Sequence, residues 1–367
     1  MYAWIRYFKS ILFFYTLSIG SVHALSLEDK YPSYTYVFHE FDVDESYLYN
    51  EDFISFVSKY EKKLKSFYTH SLLRGKEILP TMQGLLVDDG VSDLFIYLSM
   101  VESGFSTNAV SPKKAVGLWQ FMPATAKDYN LTVCYSYDER CDPVSATSAA
   151  INYLNKLHKQ FGKWYLSAMA YNCGEGCLRR AIKRAGTDEL SVLIDEDMKY
   201  LPRETRQYLK KILLLAMIGE NYTLGFSHNT NDKVENSLIQ VDVFAGTSLK
   251  EIAILLKMKE EKLLSLNSGL KNGVVAYDRP SYKITIPIEK IYAFYLRYEH
   301  RVTPKRYKSH MLSHNISLGE TLESIAKQYE ADVEEIKISN HLTDDFLTVD
   351  DMLVIPVNQN IFEKVAE

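Results

Sequence analysis

Phe95-Ile96-Tyr97-Leu98-Ser99-Met100-Val101-Glu102-Ser103-Gly104-Phe105, running on to Gly117-Leu118-Trp119-Gln120-Phe121-Met122, is the stretch on which the reading of this chain turns. Its first part predicts a helix. Ser92 is a suitable N-cap, and Leu94, Leu98, Val101 and Phe105 recur at three- and four-residue spacing. Phe95, Leu98, Glu102 and Phe105 fall on one face, which sets a carboxyl among apolar neighbours. Gly104 stops the helix and leaves Glu102 in its last turn, near a surface. Partial desolvation there disfavours the charged carboxylate and raises its pKa. A carboxyl that keeps its proton near neutral pH can give it to a leaving group. A helix-end glutamate that merely touches solvent satisfies the same spacing, so the choice rests on what surrounds it.

Three ordered motifs surround it. The first is Glu102-Ser103-Gly104-Phe105 with Asn108-Ala109-Val110-Ser111 and Gly117-Leu118-Trp119-Gln120-Phe121-Met122-Pro123-Ala124-Thr125-Ala126. The second is Ala170-Tyr171-Asn172-Cys173-Gly174-Glu175-Gly176, and the third Leu201-Pro202-x-Glu204-Thr205-x-x-Tyr208. Together they resemble the soluble-lytic-transglycosylase family, the family 23 glycoside hydrolases of lysozyme-like fold. The resemblance implies a peptidoglycan-cleaving enzyme without a cofactor. Glu102 would act first as acid at the MurNAc–GlcNAc bond and then as base on the MurNAc O6 hydroxyl, leaving a 1,6-anhydro sugar. Carried over by position, Ser111 would hold the N-acetyl group or polarise the intermediate. Gln120, Tyr171 and Asn172 would line the central subsites, with Glu204 and Tyr208 across the groove. Trp119, where many relatives have Met, is expected to alter the groove wall. Ordinary loop capping by Ser111 and Gln120, and a core position for Tyr208, are the bland alternatives.

The residues alone support a one-carboxyl mechanism. Glycosidic cleavage needs a proton on the leaving oxygen and stabilisation of an oxocarbenium-like carbon. Asp93 lies on the same predicted helix, about 13 Å from Glu102 at the helical rise per residue, too far to share a sugar. Asp89 and Asp128 are the next acids, so one clear acid and no obvious nucleophile remain. A 2-acetamido group of the substrate can supply the missing nucleophile.

Residues 1–24 have the pattern of a secretory signal peptide: Arg6 and Lys9, then the apolar run Ile11 to Ile19, then Val22-His23-Ala24 as a cleavage site. The run is short for a membrane span, so the expectation is export to the periplasm, with cell-wall or outer-membrane association left open. All 4 cysteines lie at position 134 or beyond, so none near the signal could carry a lipid. In an oxidising compartment Cys134, Cys141, Cys173 and Cys177 are expected to form disulfides, most simply 134 with 141 and 173 with 177. The lack of Cys-x-x-Cys or of histidines at ligand spacing argues against a metal. A net charge of -5 gives no reason to expect nucleic acid as a partner.

From 76 to 225 the pattern is nearly all helical, preceded at 25–75 by a tyrosine-rich extension with an amphipathic helix from Asp52 to Phe67. Residues 226–237 are polar and turn-forming, a linker. Two similar segments follow. Gly246-Thr247-Ser248-Leu249 and Gly319-Glu320-Thr321-Leu322 each precede a helix, and Asn267 and Asn340 each lie 21 residues after the glycine. Ile284-Thr285-Ile286-Pro287 and Leu353-Val354-Ile355-Pro356 close the units. A shared offset marks an internal repeat. Each unit predicts strand, helix, helix, strand and resembles a LysM module, which implies binding of N-acetylated glycans. The first, at 238–288, is degenerate; the second, at 310–357, matches better, although Asp350 stands where the family usually has glycine. Residues 289–309, with Arg297, Arg301, Lys305, Arg306 and Lys308, read as a basic linker, and 358–367 as a tail. The expected architecture is therefore multidomain: a mainly α lysozyme-like catalytic domain followed by two small α+β (βααβ) modules. A hydrolase of the same fold and a non-catalytic glycan-binding scaffold are the competing readings.

Overall fold

The computed structural model describes residues 26–221, 237–276, 281–301, 310–340, 342, 344–357 and 359–366. The expected signal peptide, nearly all of the 226–237 linker, and Lys305, Arg306 and Lys308 lie outside the described residues.

The N-terminal part is almost entirely helical and is built around the helix Arg203–Gly219. Leu209 and every residue from Ile212 to Ile218 are fully buried. A helix apolar on all sides must be surrounded; here Glu51–Gly75, Ile96–Ser103 and Trp164–Cys173 pack around it. At about 1.5–3 kcal/mol for each buried Leu, Ile or Met side chain, this helix is the main apolar anchor of the domain. The N-terminal extension shares the same core, contributing Tyr31, Phe38, Phe53 and Tyr68. Its long helix starts where the Asn50 side chain accepts from Phe53 N and runs to Gly75, well past the expected end at Phe67. Gly75 is required there, because a Cβ would come within 2.8 Å of the Phe105 ring.

Each repeat is a two-stranded antiparallel sheet with two helices. Leu238–Phe244 pairs with Ser281–Pro287, and His310–Asn315 with Met352–Val357. The repeated asparagine now has a physical role. The Asn267 side chain bonds Leu263 O, Thr285 O and Thr285 N, tying the second helix to the closing strand. Asn340 makes the same three bonds to Ile336 O, Val354 O and Val354 N. Asp350, the glycine substitute, sits at φ 70°, a left-handed conformation that aspartate tolerates better than most side chains.

Two expectations about connections change. Residues 291–301, read as part of a basic linker, form a helix that buries Phe294 and Tyr298 against the first module, with Arg297 donating to Leu255 O. Gln359–Ala366, read as a tail, is likewise helical. The apolar spacing of Ile291, Phe294 and Tyr298 could have signalled the first of these helices.

The first module is docked on the helical domain. Asp142 caps the helix Pro143–Phe161 by accepting from Ser145 N at 2.7 Å, and its carboxylate also accepts from Thr285 Oγ1 at 2.6 Å and Gln240 Nε2 at 2.9 Å. Leu238 N donates to Thr81 Oγ1, Asp138 N to Gly269 O, and Tyr137 packs edge-on against Tyr282. Among the described residues, no hydrogen bond or ion pair joins the second module to the rest.

Candidate active site

The helix Ile96–Ser103 begins after a turn capped by Ser92 and ends at Gly104, whose φ of 57° is the left-handed C-cap that glycine favours. A Cβ on Gly104 would come within 2.5 Å of the Arg74 guanidinium, which donates from Nε to Gly104 O. The loop that follows is stitched to this helix: Ser99 and Ser103 both donate to Leu118 O, at 3.0 and 2.9 Å. Gly117, at φ 85°, lies so near Arg140 that a Cβ would sit 1.7 Å from its carbonyl oxygen. The buried Arg140 guanidinium is bound by both Asp138 oxygens and donates to Lys114 O and Phe121 O. Nothing local in the sequence marks Arg140 or Asp138 as the loop's support; the nearest cue is two opposite charges two residues apart.

Glu102 lies at the end of this helix, partly exposed. Tyr208 Oη donates to Glu102 Oε1 at 2.5 Å from the buried face of the central helix. Burial pushes the Glu102 pKa up to about 7, against the downward pull of the Tyr208 hydrogen bond; the negative charge of Glu204 adds to the rise, and Lys211 offsets part of it. Tyr171 stands close enough for Glu102 to raise its own hydroxyl pKa, after the larger effect of burial. Its Oη donates to Trp119 O at 2.8 Å and its ring packs on Phe121 and Tyr153. Asn172 accepts from Thr205 Oγ1 at 2.8 Å, which locks the second motif to the third. Glu204 is exposed in the first turn of the central helix. Glu102, Tyr171, Glu204 and Tyr208 thus share one locality, drawn from three separate stretches of chain.

Ser111 and Gln120 sit in the loop with their side chains engaged by it. Ser111 Oγ accepts from Ala115 N at 3.0 Å. Gln120, at φ 48°, donates from Nε2 to Ala109 O and Gly117 O. Both shape the loop beside Glu102.

Two expectations fail. Trp119 does not form the groove wall: it is fully buried, with Nε1 donating to Thr147 Oγ1 at 2.9 Å, so it anchors the loop from beneath. The four cysteines are free thiols. Cys134 Sγ is turned to Tyr137 O, whereas burial pushes the Cys141 thiol up to about 12. The Cys173 and Cys177 thiols lie within hydrogen-bonding reach of each other but unbridged, and burial raises the Cys173 thiol. Among the described residues, no group of three or more His, Cys, Asp and Glu could hold a metal, and no helix is long and apolar enough to cross a membrane.

The Transglycosylase SLT domain family matches residues 88–194, the LysM-like domain of lytic transglycosylase MltD matches 237–301, and the LysM domain matches 314–356. Membrane-bound lytic murein transglycosylase D of Escherichia coli K12 is 32% identical over 220 residues, 59% of this chain and 48% of that protein. The chain therefore spans about half the length of that relative. Peptidoglycan transglycosylase gp16 of Escherichia phage T7 is 31% identical over 175 residues, 46% of this chain and 12% of that protein. Among solved structures, the 70 kDa soluble lytic transglycosylase of Escherichia coli aligns with 40% of this chain and 24% of its own, at 22% identity and TM-score 0.34. The chain thus carries a Transglycosylase SLT domain, followed by an MltD-type LysM-like domain and a LysM domain.

Proposed function

We propose that this protein is a peptidoglycan lytic transglycosylase that cleaves the MurNAc–GlcNAc β-1,4 bond and leaves 1,6-anhydroMurNAc. The observation that carries this reading is a half-buried carboxyl, Glu102, with a pKa raised to about 7 and one oxygen held by Tyr208. A group poised there can donate a proton and take one back in the same turnover. Tyr208 occupies Oε1, which leaves Oε2 to carry the proton toward the glycosidic oxygen. As the leaving GlcNAc departs, the 2-acetamido oxygen of the MurNAc ring closes on the anomeric carbon. The Glu102 carboxylate then removes the O6 proton, and O6 displaces the acetamido oxygen. Glu204, the acid whose field reaches Glu102, is exposed and would position sugar rather than attack it.

Ser111 and Gln120 hold the loop beneath the −1 sugar, and Tyr171 and Asn172 line the neighbouring subsites. The names of both relatives, a murein and a peptidoglycan transglycosylase, agree with this substrate. The protein acts in the periplasm after cleavage near Ala24, and the second βααβ module holds it to glycan strands. Mass spectrometry of sugars released from sacculi tests the reading. Anhydro-ended muropeptides are the expected product. Reducing ends would make water the acceptor and overturn the intramolecular step.

A further inference from the structure

Next to the acid site, a pocket of about 710 Å³ lies between the helix Glu175–Ala185 and the segment from Lys199 to Arg206. Arg180, Lys183, Arg184, Lys199, Arg203 and Arg206 line it, and no carboxylate does. Among the described residues, Arg180, Lys183, Lys199 and Arg203 enter no ion pair, while Arg184 donates to Tyr200 O. Arg206 is held by Leu201 O at 2.9 Å and by Glu196 at 2.8 Å, yet its buried Nε has no partner. Arg206 is 4% exposed. Arg180, Lys183, Arg184, Lys199 and Arg203 are exposed around the buried Arg206, so the pocket presents several positive charges and one unused buried donor to an incoming anion.

The pocket is built from the same two segments that carry the second and third motifs. The helix Glu175–Ala185 starts three residues after Asn172, and Arg203 adjoins Glu204. The Thr205–Asn172 hydrogen bond ties the two walls together beside the acid.

We infer that this pocket receives the carboxylates of the peptide stem on the strand being cleaved, which rests on the peptidoglycan reading above. On a stem-bearing strand the lactyl carboxyl of each MurNAc is tied up in its amide to the stem, so the free carboxylates belong to the stems. Planar guanidinium forks suit carboxylates, which they bind through paired hydrogen bonds. Stem recognition here would select strands that still carry peptides.

The test compares kcat/KM of the full chain on stem-bearing strands and on strands stripped of stems by an amidase, which keep only the short lactyl carboxylate of each MurNAc. In the double variant Arg180→Gln, Lys183→Gln, the preference for stem-bearing strands is expected to fall about tenfold, through KM. An unchanged preference overturns the inference while leaving the lytic activity standing. Calorimetry on the Glu102→Gln protein reads the pocket without cleavage, so it reports even if the activity reading fails. Binding of a free stem peptide that weakens in the double variant, and that disappears when the peptide's carboxylates are amidated, supports stem recognition. Binding of inorganic phosphate but not of the peptide assigns the pocket to a phosphate-bearing polymer and overturns it.

Discussion

Tyr208 Oη donates to Glu102 Oε1 at 2.5 Å, a contact that joins residues 106 positions apart in sequence. Burial raises the carboxyl pKa and this hydrogen bond restrains the rise. Tyr208→Phe removes the restraint. The Glu102 pKa should then move above about 7, so the alkaline limb of the kcat/KM profile shifts to higher pH. Loss of the orienting contact should cut kcat by about 10- to 100-fold. A limb that stays put or moves down would sink the assignment.

Glu102→Gln keeps size and removes the acid. Cleavage should fall by at least about 1,000-fold, within the range for general acid–base groups, while sedimentation with sacculi is unaffected. Stability should respond too. A carboxyl raised from 4.5 to about 7 binds more protons folded than unfolded between those values, so its contribution falls as pH rises through that window. The glutamine variant should therefore be more stable than the parent at pH 7.5, by about 1–2 kcal/mol once partial solvent access is allowed for. The gain should disappear at pH 4. Equal melting temperatures at both pH values would argue against desolvation of Glu102.

Asp142 caps one helix and clamps a strand of the first module. Burial raises its carboxyl pKa, and the Thr285 hydrogen bond pulls it back. Asp142→Ala strands the buried Thr285 hydroxyl and removes the cap, while Gln240 keeps its bond to Ser145 Oγ; the change should cost about 2–3 kcal/mol. In a double-mutant cycle with Thr285→Val, urea denaturation should show coupling of about 1 kcal/mol or more. Additive effects would mean that the contact contributes no stability.

Deletion of residues 310–357 should reduce retention on sacculi several-fold. Because no described hydrogen bond or ion pair links the second module to the rest, the melting temperature of the helical domain should stay within about 1 °C, well under the shift that 1 kcal/mol produces. A large fall in that temperature would reveal a docking contact, and unchanged retention would exclude this module as the wall anchor.

Some of this was legible along the chain and some was not. Ser92, Gly104 and the spacing around Glu102 define a helix end by contacts within four residues, and the structure places that end where the pattern put it. The 21-residue offset to Asn267 and Asn340 identified the repeat, although the reason for the asparagine, a clamp on the last strand, needed the fold. Trp119 shows the limit of position-by-position transfer. The resemblance put it at the groove wall, where many relatives have Met, whereas its side chain turns inward to Thr147. The cysteines are unbridged, although the spacing of Cys173 and Cys177 does bring their thiols within hydrogen-bonding reach of each other.

Helix ends, apolar stripes and the offset of the repeats are short-range properties of neighbouring residues, and the sequence by itself determined them. The tertiary structure alone decided that Tyr208 holds the Glu102 carboxyl, that Arg140 props the loop after Glu102, and that Asp142 meets Thr285 across 143 residues. These pairings depend on which buried surfaces pack together, and the energy that selects them comes from apolar contact and desolvated hydrogen bonds spread over the whole core.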